Sequence, residues 1–270
     1  MGPIVVDIDP VIIGVGHFAL RWYAVGIMLG ILAAFTIAAR EARRRGLDTD
    51  EIYNMGLWAV LGGLAGARLL HVIDNWGYYS ANPGSIIAIQ QGGLAILGGI
   101  LGGTVVAVVY IARRGLPLGK IADAVAPGMI LGQAIGRIGC IVNGDAVGAP
   151  TSLPWGLVYT NPGAMAPSLG DAYQPTQVYE MLWDLLVFGL LWWARGKVKL
   201  EGGLFLAYLG LYSFGKFVIS FWRQEALFLL GLQEAQVVAL ASIAGAGALA
   251  YHLWARQKAL PAAVASGPAE

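Results

Sequence analysis

The densest polar run inside apolar sequence is Gly136-Arg137-Ile138-Gly139-Cys140-Ile141-Val142-Asn143-Gly144-Asp145. A guanidinium presents a rigid, planar fork of donors that fits phosphate oxygens better than an ammonium does. Gly136 and Gly139 beside it would let backbone N–H groups approach the same anion. Asn143 adds a donor and an acceptor, and Asp145 adds an acceptor or a base. The competing reading of Arg137 is a side chain that snorkels to a membrane interface. A second run, Gln177, Glu180 and Asp184, falls at i, i+3 and i+7 and therefore on one helical stripe. An acid in an apolar helix needs a cation, here either Arg68 or Arg137. Catalysis and charge compensation are both open to it.

Other candidates are single residues in apolar settings. Arg68 and His71 lie one turn apart on one face, Arg68 as a phosphate ligand and His71 as a supporting group. Arg223, in Phe221-Trp222-Arg223-Gln224, is a second phosphate ligand or an interfacial anchor. Tyr23, beside Arg21 and Trp22, reads as a site residue or as part of an aromatic belt. Cys140 is the single cysteine, which excludes an intramolecular disulfide, and a lone thiol in apolar surroundings is usually inert packing. His17, His71 and His252 are too far apart for a zinc motif, so neither a metal nor a cofactor is expected.

What must position these residues is a membrane bundle. The chain is 57% hydrophobic and 12% charged with a mean hydropathy of +0.67, which excludes an ordinary soluble domain. The net charge of +1 points to no partner, and no nucleic-acid binding is expected. Apolar segments of spanning length fall at about 19–39, 53–73, 93–112, 121–138, 178–194, 202–221 and 235–254. Arg40, Arg43, Arg44 and Arg45, then Arg113, Arg114 and Lys120, then Arg195, Lys197 and Lys199, then Arg256 and Lys258 follow every second segment. The positive-inside rule puts them on the cytoplasmic face. The expectation is an all-α, polytopic membrane protein of about seven transmembrane helices, amino terminus outside and carboxyl terminus cytoplasmic. Residues 1–258 form one catalytic domain with outer loops 74–92, 139–177 and 222–234, and 259–270 form a disordered tail. The opening stretch with Pro10 and Gly16 reads as an interfacial segment. Asp7 and Asp9, with no basic residue before the first apolar run, speak against a cleavable signal peptide.

Arg21, Arg68, Arg137, Lys216 and Arg223 are left on the wrong side, in or beside the outer halves of helices. A charge near the bilayer centre costs roughly 2.5–3.5 kcal/mol on insertion scales, so such residues are functional candidates. Gathered at one leaflet, they suggest a pocket for an anionic lipid headgroup. Glycine pairs four apart, among them Gly26 and Gly30, Gly62 and Gly66, and Gly98 and Gly102, predict close helix contacts. The doubled pattern Gly92-Gly93, Gly98-Gly99 and Gly102-Gly103 suggests room for a bulky ligand tail.

Together these residues resemble the prolipoprotein diacylglyceryl transferase family of bacterial inner membranes. The resemblance runs from Asp9-Pro10-Val11-Ile12 and Arg21-Trp22-Tyr23, through Gly66-Ala67-Arg68 and Gly92-Gly93-Leu94, to Gly136-Arg137-Ile138-Gly139, Asn143-Gly144-Asp145 and Gly148. It ends in Gln174-Pro175-Thr176-Gln177-Val178-Tyr179-Glu180 and Phe221-Trp222-Arg223-Gln224. It implies transfer of a diacylglyceryl group from phosphatidylglycerol to the lipobox cysteine of a secreted prolipoprotein, at a site open to the outer leaflet of the cytoplasmic membrane. On that reading Arg137 and Arg223 hold the leaving phosphate, Tyr23 and Asn143 orient, and Asp145 belongs to the catalytic group. Gly98, Gly99 and Gly139 would lie against lipid, with Gln177, Glu180 and His71 in support. Two positions depart from the family pattern. Leu97 stands where many members carry a histidine proposed as the thiol-activating base, and Cys140 stands where an asparagine is common. His71, Asp145 and Glu180 are alternative bases, and a cationic pocket that stabilises the thiolate is another route. Other readings are a phospholipid-dependent transferase with a different acceptor, or a lipid or anion transporter. A transporter more readily shows inverted repeats and helices broken near the midplane.

The charge pattern makes a direct prediction. Cysteines introduced at Ser80 and Gly163 should react with an impermeant reagent on intact cells, and one at Gly196 should not. Labelling at position 196 would overturn the proposed orientation.

Overall fold

Lipid offers no partner to a backbone N–H or C=O, so apolar runs long enough to span it fold as helices. The computed structural model describes residues 2–15, 18–89 and 92–265. Its helices are α1 (Trp22–Arg44), α2 (Thr49–Asp74), α3 (Trp76–Ala81), α4 (Ile96–Arg114), α5 (Leu118–Asn143), α6 (Thr176–Ala194), α7 (Gly203–Ser220) and α8 (Glu234–Ala265), with a 3-10 turn at Pro83–Ile87. Among the described residues six of these, α1, α2, α4, α5, α7 and α8, are long and apolar enough to cross a membrane. The seventh expected span is α6. It is helical over 19 residues, but its polar stripe of Gln177, Glu180 and Asp184, all buried, lowers its hydropathy. α5 continues through Pro127. α8 runs past its expected end, and residues 266–270 of the expected tail lie outside the described residues, as does Gly16 of the interfacial segment.

The chain is not purely helical. The amino-terminal stretch and two of the connecting loops contain short strands. They are β1 (Ile4–Val6), β2 (Val11–Val15), β3 (Phe18–Arg21), β4 (Leu157–Tyr159), β5 (Ala172–Tyr173), β6 (Leu227–Leu229) and β7 (Leu232–Gln233). β1 pairs parallel with β4, and β4 antiparallel with β5, so the amino terminus is stitched to the loop after α5. β2–β3 and β6–β7 are antiparallel hairpins. These pairs satisfy backbone groups that no helix takes up. A hydropathy reading sees only "loop" there, because the strands are two to five residues long.

The residues fall into two compact units, Met1–Ile37 with Ala122–Glu270, and Ala38–Ile121. In the second unit α2 and α4 pack through their glycines. A Cβ on Gly66 would collide with the Gly98 carbonyl oxygen and come within 2.9 Å of the Gly102 Cα. The pair is also tied by Glu51, whose carboxylate accepts from the Tyr110 hydroxyl at 2.6 Å and from Arg114. In the first unit α1 lies backbone-to-backbone on α5. A Cβ on Gly139 would stand 2.9 Å from the Tyr23 Cα. Ala126, Ile130, Val187, Leu191, Leu204 and Tyr208 form a buried core shared by α5, α6 and α7. Asp123, buried on α5, caps α7 by accepting from the N–H groups of Gly202, Leu204 and Phe205 at 2.9–3.1 Å.

Tyr159 locks β4 to two helices. Its ring is fully buried, its hydroxyl donates to the Ile141 carbonyl at 2.8 Å, and it accepts from Gln177 Nε2 at 3.0 Å. Burial pushes this phenol from its ordinary value of 10.0 up to about 12. Tyr159→Phe leaves both partners unpaired and should lower stability by about 1–3 kcal/mol, read as a lower Tm in detergent. Below pH 10.0 the hydroxyl is protonated in folded and unfolded chains alike. Between there and about 12 the unfolded chain gives up its proton first, so stability falls as pH rises. The Phe variant should decline less steeply across that window.

Candidate functional site

The site is built around one carboxylate. Glu180 stands in the second turn of α6, is 3% exposed, and is shared by three cations from other segments. Arg137 of α5 pairs through Nη2 with Oε2. Lys216 of α7 reaches Oε1 at 2.9 Å, and Arg223, in the turn that leaves α7, reaches the same oxygen at 2.8 Å. Arg223 also pairs through Nη1 with the more exposed Glu225 at 3.1 Å. Asp184, buried one turn further along α6, interacts electrostatically with Arg137, Lys216 and Glu180. Three cations thus face two buried acids, with Glu225 as a third acid at the exposed edge. The cations are not sealed off, since 16–23% of each side chain remains exposed. Arg223 keeps a buried Nε–H with no acceptor among the described residues.

Next to this cluster the end of α5 ties a second knot. Asn143, almost fully buried, accepts from Arg21 Nη1 at 3.2 Å and donates through Nδ2 to Asp145 at 2.8 Å and to the Met165 sulfur at 3.2 Å. Gly144 takes a left-handed conformation with φ +81°, and its N–H returns to the Cys140 carbonyl, which ends the helix. Ala146, at φ 59°, adopts a conformation that non-glycine residues seldom hold. Thr176 fixes it by donating to its carbonyl at 2.7 Å. Tyr23, half-exposed at the start of α1, is close enough to interact electrostatically with Arg137, Cys140 and Asp145. Cys140 is buried, with its sulfur 3.9 Å from Arg137 Nη1.

The structure therefore brings together Arg137, Glu180 and Arg223, and joins Asn143 with Asp145. Of the two partners open to Glu180, it pairs with Arg137. Arg68 is not available as a phosphate ligand, because its donors are spent on its own loop. Nε donates to the Ile86 carbonyl at 2.8 Å, Nη1 to Gly92 and Gly93 at 2.7 and 2.8 Å, and Nη2 to Ser85 and Ala88 at 2.5 and 3.4 Å. A guanidinium has five N–H groups, and all are used. His71 packs edge-on to Tyr79 and lies against Gly93. The room expected at Gly98 and Gly99 is filled by α2, since a Cβ on Gly98 would meet Leu70 at 2.6 Å and one on Gly99 would touch Ala67. Gly136 and Gly139 lie within α5, so their N–H groups serve the helix ladder rather than an anion. Gly139 instead admits α1. Lys216 had no role in the sequence reading beyond being a cation on the wrong side, and that was the signal for it. Among the described residues no group of three or more His, Cys, Asp or Glu is placed to hold a metal ion.

Comparison with known proteins gives a consistent result. The family described as prolipoprotein diacylglyceryl transferase matches residues 10–252. The phosphatidylglycerol–prolipoprotein diacylglyceryl transferase of Trichormus variabilis is 40% identical over 266 residues, covering 95% of this chain and 94% of its own. That of Thermosynechococcus vestitus is 38% identical over 249 residues, with 91% and 93% covered. That of Clostridioides difficile is 37% identical over 226 residues, with 84% and 88% covered.

The shared carboxylate yields a stability test. Removing one partner of a buried charge cluster strands the others, at a cost of about 3–5 kcal/mol. Glu180→Ala should therefore lower the Tm markedly, and more than Glu225→Ala at the exposed rim.

Proposed function

The chain belongs to the prolipoprotein diacylglyceryl transferase family, and from that premise we propose that it moves a diacylglyceryl group from phosphatidylglycerol to the lipobox cysteine of a prolipoprotein. A sulfur–carbon bond forms at the glyceryl carbon next to phosphate, the carbon–oxygen bond breaks, and glycerol phosphate leaves as an anion. The observation that carries this reading is the convergence of three partly exposed cations on Glu180. Donors fixed in advance around a developing anion are commonly the largest catalytic term. Arg137 and Arg223 clamp the phosphate, and Lys216 adds a third charge from α7. Tyr23 and Asn143 orient the reacting groups, with Asp145 held by Asn143.

Glu180 acts as counter-ion and not as base. Both of its oxygens are engaged by cations, and a carboxylate so held is a poor proton acceptor. With Leu97 in α4, the thiolate is favoured by the cationic pocket itself. A free cysteine loses its proton near pH 8.5, and nearby cations lower that value, so the rate rises with pH and levels off below it. Counting α6, the chain crosses the bacterial cytoplasmic membrane seven times, amino terminus outside, and the site opens to the outer leaflet. The polar cluster lies where α5 ends, α6 begins and α7 ends, which places it at one end of the bundle.

Purified protein incubated with phosphatidylglycerol and a lipobox peptide should add the diacylglyceryl mass to the peptide. Arg137→Ala or Arg223→Ala should lower turnover by more than a hundredfold, since a lost charged donor in such a site costs roughly 3 kcal/mol or more. Lysine at either position should rescue poorly, lacking the planar fork. Near-normal turnover in folded Arg137→Ala protein would sink the clamp assignment. Consumption of phosphatidylglycerol with no gain in peptide mass would point to a different acceptor.

A further inference from the structure

Between α7 and α8 lies an uncharged stretch, Ala226-Leu227-Phe228-Leu229-Leu230-Gly231-Leu232, which folds as the β6–β7 hairpin. Its turn has Leu230 at φ 52° and Gly231 at φ 76°, both left-handed, as a tight hairpin turn requires. Asparagine or aspartate is the usual residue where leucine stands. The tip is also apolar and bare, with Leu227 70%, Phe228 68% and Leu230 92% exposed. It does not stand alone. Phe221 and Trp222, where α7 ends, and Val238 in α8 are also large, apolar and exposed. Exposed apolar side chains of two candidate spans thus flank the hairpin on both sides, with Gln224, Glu225 and Glu234 exposed between them and its strands.

The base of the hairpin is polar, buried and joined to the site. Gln233, at the end of β7, donates from Nε2 to the Arg223 carbonyl at 3.1 Å. Its own N–H donates to Gln236 Oε1 of α8 at 3.0 Å, and Gln236 is 2% exposed. The neighbouring Trp222 carbonyl accepts from Ala149 N–H at 2.8 Å. Arg223, which reaches Glu180 with its side chain, is thus held through its backbone by the hairpin it precedes.

We propose that the β6–β7 hairpin is a lipid anchor, seated in the leaflet at the boundary where α7 ends and α8 begins, and that Gln233 transmits its seating to Arg223 as a positioning residue. The anchoring half rests only on the spans, whereas the positioning half rests on the transfer reaction proposed above. Anchoring is read without any activity. Leu230→Cys labelled with bimane, in phosphatidylglycerol–phosphatidylcholine vesicles, should be quenched by lipids brominated on their acyl chains. Protein carrying only Cys140 supplies the background. A probe that brominated lipid leaves bright overturns the anchor. So does a probe shielded only when a lipobox peptide is added, which would make the hairpin a peptide-docking surface. Positioning is read against unaltered protein in the same vesicles, whose turnover separately tests the transfer reaction. Gln233→Met keeps the length of the side chain and adds no charge, but cannot donate to the Arg223 carbonyl. It should lower kcat about tenfold, the weight of one good hydrogen bond, with the KM for peptide unchanged, at a temperature well below the Tm of either protein. Unchanged kcat, or a loss that follows a fallen Tm, overturns the positioning role.

Discussion

A carboxylate buried in an apolar bundle is unfavourable unless cations and hydrogen-bond donors surround it, and removing any partner exposes the cost of the rest. Glu180 imposes that condition on the first unit. To satisfy it, α5 must present Arg137, α7 must present Lys216, and the chain leaving α7 must turn so that Arg223 points back. The same constraint turns the polar stripe of α6 inward, because Gln177 and Asp184 share it and would be costly against lipid, while Leu182, Leu186 and Trp193 stay exposed on its other side. One acid therefore fixes both a packing arrangement and an electrostatic one. The partly exposed cations gathered there are what an anionic headgroup would find.

Around that centre the molecule uses ordinary devices at unusual density. Glycine removes side chains where backbones must touch, as at Gly139 against Tyr23, and this sets Tyr23 beside the arginine helix. Asn143 spends both amide hydrogens and its oxygen on Asp145, Met165 and Arg21, so the acid that follows the helix is held by an exhausted donor set. Tyr159 and Thr176 pin the loop from below, the first to Ile141 and Gln177, the second to Ala146. A site that must stabilise a transition state gains from groups that cannot relax away from it. Around Asn143 the hydrogen bonds of its side chain, Tyr159 and Thr176 supply that fixing. Arg68 shows the contrasting use of the same side chain. Its charge organises five carbonyls of one loop and leaves no donor for a ligand.

Much was legible in the sequence for a physical reason. Hydrocarbon forces every spanning segment into a helix, so hydropathy and the sidedness of Arg and Lys located the helices, α6 included, and marked Arg137, Lys216 and Arg223 as cations out of place. The motif around Arg137 and the acid stripe of α6 carried the family resemblance, and comparison with relatives supports it over most of the chain. The strands did not show, because pairs such as β1 with β4 join residues about 150 positions apart in runs too short for a period-two pattern. What only the tertiary structure decided is which partner each charge takes. Glu180 had two arginines open to it, and spacing along the chain cannot rank contacts between helices. Arg68 looked equivalent to Arg137 as an arginine in an apolar helix. The difference lies in the loop from Ser85 to Gly93, whose carbonyls converge on one guanidinium and not on the other. Composition determines that a buried charge must be neutralised, and only the folded backbone determines by what.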